Sequence, residues 1–464
     1  MKYSKKRSKI IILVPYPAQG HVTPMLKLAT TFLTRGFQPV MVTQEAVHRQ
    51  VMSRMDCNIL CMPIPDGADE QKPQDFFAIE AAMENNMPGH LERLVGEVEE
   101  EGEVVCMVVD LLASWAIGVA NRRGIPAAGF WPAMLATYRL ISSIPGMVRT
   151  GIISDTGLPH HVGAITIQPS QPKLSTEELP WLIGTLASRK GRFKFWTRTL
   201  SRCRSLKWVL VNSFPEEYID IDHEQQKQLP LKSSKDEDDD HDHDHPLILP
   251  IGPLYAINNT NNPSFWEEDV SCLEWLDKQQ AVSSVIYISF GSWVSPIGEG
   301  KVKSLALALE ALGKPFLWVL GDSWRAGLPL GYLERVSKQA RGKLVYWAPQ
   351  MEVLKHKAVG CYLTHCGWNS TMEAIQCQKR LLCYPVAGDQ FVNCSYIVKV
   401  WKIGVKLNGF GVKDVEECVR RAMEDTQMSI RLRKLSERTM GDEASLKVES
   451  NLTAFLDDVN KQTP

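Results

Sequence analysis

Residues 347–390 read WAPQMEVLKHKAVGCYLTHCGWNSTMEAIQCQKRLLCYPVAGDQ, and they decide how the second half of this chain folds. Within them, Val359 to His365 is an apolar, β-branched run, which predicts a buried strand that ends at a histidine. Cys366-Gly367-Trp368 turns the chain, and Asn369 opens a helix whose first backbone N–H groups have no partner inside the helix. Those free amides and the helix dipole favour negative charge, so this strand, turn and helix predict an anion site.

The same alternation of strands and helices extends through both halves of the chain. In the second half we expect strands at Val285–Phe290, Phe316–Leu320, Leu344–Trp347, Val359–His365 and Leu381–Tyr384, with helices at about 300–312 and from Asn369. In the first half we expect strands at Lys9–Val14, Val40–Thr43, Val104–Val109, Ala127–Phe130 and Trp208–Asn212, with a helix near 113–122. The pattern predicts an α/β protein of two facing doubly wound parallel sheets, with ligands in the cleft between them.

The first helix has clear start and stop signals. We expect Thr23 as its N-cap, Pro24 at its first helical position and Gly36 just past its end. The turn that precedes it, from Pro15 to His21, then lies at the carboxyl end of the first strand. A histidine in that turn is placed at the edge of the sheet where ligands bind.

A break in composition separates the two halves. Residues 232–245, KSSKDEDDDHDHDH, are polar, mostly acidic and without an apolar residue, which predicts a disordered surface loop to which we assign no function. We place an N-terminal domain at 1–245 and a C-terminal domain at 246–445. A last helix at 446–464 is expected to pack back on the N-terminal domain.

Charge and cysteine content exclude several classes of function. The chain of 464 residues has 52 Lys+Arg against 53 Asp+Glu, so no positive field favours nucleic acid or an anionic membrane. The eleven cysteines are scattered without zinc-like spacing, which predicts free thiols and no metal site. The apolar run at 10–14 is too short for a signal peptide, and no later run suits a membrane span. We expect a cytoplasmic monomer.

Polar residues beside the anion site suit the parts of a nucleotide. His365, Asn369 and Ser370 offer hydrogen bonds to phosphate oxygens, and Gly367 lets the backbone approach closely. Glu373 lies four residues after Asn369 on the same helix face, and its carboxylate suits the two hydroxyls of a ribose. Phosphate and ribose are thus both provided for within nine residues, 365–373.

Two further pairs of residues follow neighbouring strands. Trp347 and Gln350 come at a strand end, where an indole face can stack on a nucleobase. Asp389 and Gln390 follow the strand that begins at Leu381 and offer acceptors and donors for sugar hydroxyls. Each residue taken singly also fits a core or capping role, and it is the ordered set that favours a binding site.

Residues 347–390 resemble the 44-residue signature box of the plant family 1 UDP-glycosyltransferases. Trp-Ala-Pro-Gln, Thr-His-Cys-Gly-Trp-Asn-Ser-Thr, Glu373 and Asp389-Gln390 stand in register, and Pro-Ala-Gln-Gly-His-Val-Thr-Pro near the N-terminus is similar to the family too. Gln378-Lys379-Arg380 replaces the usual Gly-Val-Pro, and Ala387 stands where many members carry Trp. The resemblance implies the GT-B fold and transfer of a sugar from UDP to a hydroxyl of a small lipophilic metabolite. The terminal Gln implies glucose.

The resemblance also implies roles for single residues. Trp347 would stack on uracil, while Gln350 and Glu373 would bind the ribose. No cofactor is implied beyond the UDP-sugar, with UDP-glucose the leading donor, and no metal. The implied UDP-sugar site comprises Ser292, Trp347, Ala348, Gln350, His365, Gly367, Trp368, Asn369, Ser370, Glu373, Asp389 and Gln390.

His21 and Asp110 match the base and supporting carboxylate of this family. His21 follows the first strand, and Asp110 ends the strand that begins at Val104, so both lie at one edge of the same sheet. A carboxylate beside an imidazole fixes its tautomer and stabilises the imidazolium formed during proton transfer. We hypothesise that His21 deprotonates the acceptor hydroxyl, which attacks the anomeric carbon with inversion.

The acceptor and the competing functions are less sharply defined. Trp115, Phe130, Trp131 and Met134 follow strand ends of the first half, and they either line an apolar acceptor pocket or pack in the core. A dehydrogenase is disfavoured because the first turn lacks G-x-G-x-x-G. A sugar-nucleotide epimerase on the same fold and a catalytically silent UDP-sugar-binding relative remain as alternatives.

Overall fold

The computed structural model describes residues 7–52, 59–67, 75–166, 172–214, 217, 246–254, 264–292, 297–339 and 341–462. The acidic run at 232–245 lies outside these ranges, so the expectation of a disordered loop stays a prediction. Two parallel sheets dominate the described part of the chain, as the alternating pattern predicts.

The first sheet has the strand order β3-β2-β1-β4-β5-β8-β9, and the second has the order β12-β11-β10-β13-β14-β15. A two-stranded antiparallel pair, β6-β7, lies apart from both. The sequence pattern missed β3, β9 and β15. The strands are β1 Lys9–Val14, β2 Gln38–Gln44, β3 Leu60–Ile64, β4 Glu103–Asp110, β5 Ala127–Trp131, β6 Ala164–Ile165, β7 Leu174–Ser175, β8 Trp208–Val211, β9 Leu247–Pro250, β10 Val285–Ser289, β11 Phe316–Val319, β12 Gly342–Val345, β13 Val359–Thr364, β14 Arg380–Cys383 and β15 Gly404–Lys406.

Helices cover the faces of both sheets. Short 3₁₀ or π turns occur at Leu111–Ala113, Thr176–Glu178 and Tyr396–Val400. The α-helices are α1 Gln19–Thr34, α2 Glu45–Met52, α3 Phe76–Glu101, α4 Trp115–Arg123, α5 Leu135–Ser142, α6 Ile144–Arg149, α7 Leu186–Cys203, α8 Ser271–Asp277, α9 Glu299–Leu312, α10 Asp322–Arg325, α11 Tyr332–Lys338, α12 Gln350–Lys355, α13 Trp368–Gln376, α14 Gln390–Ser395, α15 Val412–Glu424, α16 Thr426–Met440 and α17 Asp442–Gln462.

The start of α1 differs from the prediction. The helix begins at Gln19, with Ala18 as its N-cap, and Pro24 lies inside it, so Thr23 is not the cap. The Ala18 carbonyl accepts hydrogen bonds from the backbone N–H groups of His21 and Val22, both at 2.9 Å. Capping by the backbone replaces the expected side-chain cap, and the turn that carries His21 becomes helical.

The strands of the first sheet are buried on both faces. Ile10, Ile12 and Val14 of β1 belong to one hydrophobic cluster, whereas Ile11 and Leu13 belong to another, because successive strand residues point to opposite faces. Helices α3 and α4 contribute to the first cluster, and α1 and α17 contribute to the second. A strand covered on both sides needs apolar residues throughout, which explains its lack of alternation.

The C-terminal part of the chain returns to the first sheet. Strand β9 pairs in parallel with β8, so this sheet continues past the predicted domain boundary at residue 245. Helix α17 lies on the same sheet, where Asn451 Nδ2 donates to the Pro250 carbonyl at 2.7 Å and Asp458 accepts from Trp208 Nε1 at 2.9 Å. Among the described residues, none of the helices combines the length and apolar content needed to cross a membrane.

Candidate active site

Each sheet reverses its strand order between its two central strands. In the first sheet the reversal lies between β1 and β4, where Val14 is paired with Val109. In the second it lies between β10 and β13, where Ser289 is paired with Thr364. Connections leave such a point in opposite directions and open a crevice at the carboxyl ends of the strands. Just beyond these four strand ends lie His21, Asp110, Gly291, Ser292 and His365.

His21 and Asp110 are in direct contact at the first reversal point. His21 Nδ1 lies 2.7 Å from Asp110 Oδ2, and Asp110 Oδ1 accepts the backbone N–H of Leu112 at 2.9 Å. Asp110 is fully buried, whereas 21% of the His21 side chain is exposed. An ionised carboxylate only accepts hydrogen bonds, so Nδ1 carries the ring proton and Nε2 keeps its lone pair. The pair therefore has the geometry of an oriented general base.

Two neighbours define the surroundings of the imidazole. The Tyr16 ring centroid lies 5.2 Å from that of His21, and burial raises the pKa of the Tyr16 phenol, with a further contribution from the Asp110 charge. Burial also raises the pKa of Asp389, a shift that Asn393 and then His21 oppose. Asp389 follows β14 of the second sheet, so the predicted base lies close enough to a predicted sugar contact to influence its pKa.

His365 is packed between two glycines at the second reversal point. A Cβ atom on Gly367 would lie 2.3 Å from His365 Nε2, and one on Gly291 would lie 2.8 Å from the same atom. Burial lowers the pKa of His365 to about 4, against an opposing effect of the Ser289 backbone, so the ring is neutral at pH 7. Its Nδ1 atom is buried without a hydrogen-bond partner among the described residues. The neutral ring, with its Nδ1 atom unpaired, suits a hydrogen bond to a ligand.

Asn369 joins the two halves of the chain. Its Nδ2 atom donates to the carbonyl of Gly20 in α1 at 3.0 Å. That carbonyl would ordinarily accept the N–H four residues later, but the residue there is Pro24, which has none. Pro24 therefore has a role that differs from the predicted one: it leaves the Gly20 carbonyl available to Asn369.

The start of α13 is arranged differently from the expectation at one residue. The helix begins at Trp368, and no side chain caps its first turn. The Trp368 indole is 4% exposed, donates from Nε1 to the Asn212 carbonyl at 2.7 Å and stacks on Phe214. The indole therefore packs in the core, so any contact of Trp368 with a sugar has to come from its backbone, and the contact itself stays a prediction. Only the backbone of Trp368 lies at the uncapped turn.

Gln350 and Glu373, the predicted ribose contacts, are bonded to each other. Gln350 Nε2 donates to Glu373 Oε2 at 2.6 Å and to Ser370 Oγ at 3.1 Å. Gln350 Oε1 accepts the hydroxyls of Tyr287 at 2.9 Å and Tyr362 at 3.1 Å. These bonds hold Gln350 in one orientation and present Glu373 at the cleft.

A buried lysine that the sequence pattern did not single out lies near this pair. Lys27 is on α1 and is 5% exposed. Burial lowers the pKa of Lys27 to about 8, and the charge of Glu373 opposes that shift. Burial raises the pKa of Glu373, against the effects of Gln350 and of Lys27. In the sequence, the one indication of Lys27 as a site residue is that a lysine stands within an otherwise apolar helix face.

Trp347 has an aromatic partner that the sequence reasoning missed. Its ring lies 4.7 Å from that of Trp266, with a tilt of 32° between the planes. The Trp347 carbonyl also accepts the backbone N–H of Asp269 at 2.9 Å, and Ala348 beside it is buried. No sequence motif surrounds Trp266, so only its ring contact with Trp347 in the structure indicates that it belongs to the site.

The residues predicted to meet the sugar lie at the start of α14. Gln390 Oε1 accepts the backbone N–H groups of Val386 and Ala387, both at 2.9 Å, and so holds the loop before the helix. Asp389 Oδ2 accepts Asn393 Nδ2 at 2.9 Å. The Gln390 amide NH₂ and the second Asp389 oxygen are the atoms of this pair that these bonds leave for a ligand.

The predicted acceptor residues do not form one group. Trp115, Trp131 and Met134 belong to one hydrophobic cluster, with Trp131 Nε1 donating to the Met134 carbonyl at 2.9 Å. Phe130 belongs to the cluster on the opposite face of the sheet, because it is next to Trp131 in the same strand. Phe130 is therefore excluded from any pocket that Trp131 lines. Half-buried Trp196, 5.8 Å from Trp131 between ring centroids, is a neighbour that the sequence did not indicate.

Comparison with known sequences identifies the family. The family model for UDP-glucoronosyl and UDP-glucosyl transferases matches residues 264–438. UDP-glycosyltransferase 82A1 of Arabidopsis thaliana is 55% identical over 469 residues, which cover 99% of this chain and 100% of the relative. UDP-glycosyltransferase 83A1 of the same plant is 30% identical and covers 97% of each chain.

Comparison with solved structures agrees with this. Os79 of O. sativa, solved with U2F and a trichothecene, is 26% identical with a TM-score of 0.73, covering 97% of this chain and 100% of that one. Phytolacca americana UGT2, solved with UDP-2fluoro-glucose and pterostilbene, has a TM-score of 0.78 at 21% identity and covers 98% of this chain and 100% of that one. These likenesses confirm the predicted GT-B fold. Because a 55% identical relative matches nearly its whole length, the chain belongs to the plant family 1 UDP-glycosyltransferases.

Proposed function

We propose that this UDP-glycosyltransferase moves glucose from UDP-glucose to a hydroxyl of a small lipophilic metabolite, with inversion at the anomeric carbon. The observation that carries the proposal is the contact of His21 Nδ1 with buried Asp110, opposite Asp389 and the uncapped start of α13. This arrangement has a base on one side of the cleft and an anion site on the other. A donor sugar held between them would present its anomeric carbon to an acceptor beside His21.

In the proposed reaction His21 Nε2 takes the proton of the acceptor hydroxyl. The acceptor oxygen forms the new bond to the anomeric carbon, and the bond from that carbon to the diphosphate breaks with its electron pair leaving on UDP. Asp110 stabilises the imidazolium, which later loses its proton to solvent. The N–H groups at the start of α13 stabilise the charge that develops on the diphosphate. General base catalysis of this kind contributes about 10²–10⁴-fold.

Donor recognition is proposed to involve most of the residues that the box indicates. Trp347 would carry the uracil and Glu373 the ribose, with Gln350 holding Glu373 in place. His365, with its unpaired Nδ1, would donate to a phosphate oxygen. Ser292, which follows Gly291 at the same strand end, is proposed as a further phosphate contact.

The remaining donor contacts are proposed for the sugar and the nearby phosphate. Asp389 and the Gln390 NH₂ would bind sugar hydroxyls, and the choice of glucose as the donor sugar rests on the box ending in Gln390. Asn369 and Ser370 would turn to the phosphates once the donor displaces the bond from Asn369 to Gly20.

The acceptor class rests on the character of the N-terminal half and on the relatives. Trp131 at the end of β5 contacts Trp196 of α7, and Trp115 at the start of α4 belongs to the same hydrophobic cluster as Trp131. Structures similar to this chain were solved with pterostilbene and with a trichothecene. We propose a phenol or terpenoid alcohol as acceptor. The ten described cysteines are free thiols, as in proteins of a reducing compartment, and we propose a cytoplasmic location and a monomer.

The experiment is UDP release from UDP-glucose in the presence of a panel of phenols and terpenoid alcohols, with products identified by mass spectrometry. His21→Ala is expected to lower transfer by at least about 100-fold and to leave UDP affinity unchanged. His90→Ala, a surface histidine of α3 that contacts Arg93, is the matched control and should stay fully active. A lack of UDP release with every acceptor of the panel would instead favour the silent relative, and an isomerised UDP-sugar would indicate an epimerase.

A further inference from the structure

We propose that three buried cysteines behind the diphosphate site bind a soft d¹⁰ metal ion such as Zn²⁺, Cu⁺ or Cd²⁺. Cys366 follows β13, Cys383 ends the neighbouring strand β14, and Cys394 lies in α14. Their three sulfur atoms lie within 4.8 Å of one another, and each residue is at most 2% exposed. We call these residues the thiol cluster. The thiol cluster could not be predicted from the sequence, because the spacings of 17 and 11 residues match no metal motif.

The dimensions of the thiol cluster suit one central ion. Sulfur atoms that bind an ion at about 2.3 Å lie roughly 4 Å from one another, so the widest gap needs to close by less than about 1 Å. Among the described residues the cluster contains no carboxylate and no imidazole. Thiolates without oxygen ligands select Zn²⁺ and Cu⁺ over Mg²⁺ or Ca²⁺. The Thr364 carbonyl, 3.9 Å from Cys366 Sγ, already accepts the backbone N–H of Tyr384 at 2.9 Å, so we propose coordination by the three sulfur atoms.

Ion binding by the thiol cluster has a defined proton and charge balance. Binding a divalent ion releases the three thiol protons to solvent and leaves one net negative charge on the complex, with no change of oxidation state. The ammonium of Lys406 lies close to the cluster but is paired with the Glu178 carboxylate at 2.9 Å, so it does not neutralise this charge.

Occupation of the cluster would affect the diphosphate site directly. Cys366 has a positive φ of 66° and is followed by Gly367, the N-cap of α13. The Cys366 carbonyl accepts Asn393 Nδ2 at 2.9 Å, and the same amide donates to Asp389. A metal that draws the Cys366 sulfur inward therefore shifts the backbone that holds phosphate and the loop that holds the sugar. Metal and UDP are expected to weaken each other's binding by the same factor.

The test is a titration of the reduced full-length chain with Cd²⁺, followed by thiolate-to-cadmium charge-transfer absorption and by X-ray absorption at the cadmium edge. Wild type is expected to take up one tightly bound ion with three sulfur ligands, slowly because the cluster is buried. Cys394→Ser should weaken this binding by at least about 100-fold. Cys418→Ser removes a half-buried thiol outside the cluster and should leave it unchanged.

Fewer than three sulfur ligands in wild type, or equal cadmium affinity in Cys394→Ser, overturns the proposal. Cys383→Ser provides a second variant if Cys394→Ser does not fold, which circular dichroism will show. The X-ray absorption measurement on wild type requires no variant at all. Because no sugar donor or acceptor is present, its outcome is independent of the proposed transferase reaction, and a failure of either leaves the other standing.

Discussion

Replacing Asp110 by asparagine tests whether the carboxylate sets the tautomer of His21. Asp110 is fully buried between two donors, the Leu112 N–H at 2.9 Å and His21 Nδ1 at 2.7 Å. In Asp110→Asn the remaining oxygen should stay on the Leu112 amide, because turning the NH₂ toward it leaves a buried donor unpaired at a cost of about 1–3 kcal/mol. The new NH₂ then faces Nδ1 and moves the ring proton to Nε2.

With its proton on Nε2, His21 cannot accept the acceptor proton. The expected loss is the whole contribution of the base, a fall in kcat of about 10²–10⁴-fold, which corresponds to about 2.7–5.4 kcal/mol. The affinity for UDP should not change, because the residues assigned to UDP follow strands of the second sheet. The assay is glucosyl transfer under saturating UDP-glucose, together with UDP binding by calorimetry.

The matched control is Asp425→Asn, at the N-cap of α16. Asp425 accepts the Met428 N–H at 3.1 Å, and asparagine caps a helix about as well, so this variant should keep wild-type kcat and stability. A kcat for Asp110→Asn within about threefold of wild type would refute the assignment of His21 as the base, since a general base contributes far more than that.

Three further predictions concern the donor site and stability. Gly367→Ala places a Cβ atom 2.3 Å from His365 Nε2 and should weaken UDP binding at least about tenfold. The control Gly36→Ala has a φ of 84° and open space around it, so it should leave UDP binding unchanged and cost only about 1–2 kcal/mol of stability. Trp347→Ala should weaken UDP binding by about 1–3 kcal/mol through lost stacking, and Trp347→Phe by less. Burial raises the pKa of Glu217 from 4.5 to about 7, so between these pH values the native state binds more protons than the unfolded chain. As the pH rises from 4.5 to about 7, wild type should therefore lose stability relative to Glu217→Gln, by at most about 1.4 kcal/mol per pH unit.

Each of these predictions has a contrary outcome. Calorimetry that gives equal UDP affinity for Gly367→Ala and Gly36→Ala would show that the His365 position is unimportant. Unchanged affinity in Trp347→Ala would mean that uracil binds elsewhere. Parallel curves of unfolding free energy against pH for wild type and Glu217→Gln, from denaturant titrations, would show that Glu217 has the same pKa in the folded and the unfolded chain.

Much of the architecture could be read from local sequence. Buried parallel strands need unbroken apolar runs, and such runs mark β1, β4, β10 and β13 clearly. Strand β3 was missed because its exposed edge includes a proline and lacks such a run. Strand β9 was missed because it follows the acidic run at 232–245, where a local pattern gives no reason to return to the first sheet.

The site was predictable where a residue's role depends on its place at a strand end. His21, Asp110 and His365 lie beyond central strands in both the sequence pattern and the structure. The orientation of a side chain was not predictable: Trp368 stands beside Asn369 in the chain, yet its indole is in the core. Phe130 and Trp131 likewise separate onto opposite faces of the sheet.

By itself the sequence determined the alternation of strands and helices, the residues at the strand ends and, through its signature box, the family, because all of these depend on neighbours along the chain. The tertiary structure alone decided that Asn369 bonds to Gly20, that Trp266 meets Trp347, that Lys27 lies near Glu373 and that three cysteines share one buried site. Each of these contacts joins segments distant in sequence, and no local pattern specifies which distant segment will fill the space beside a given residue.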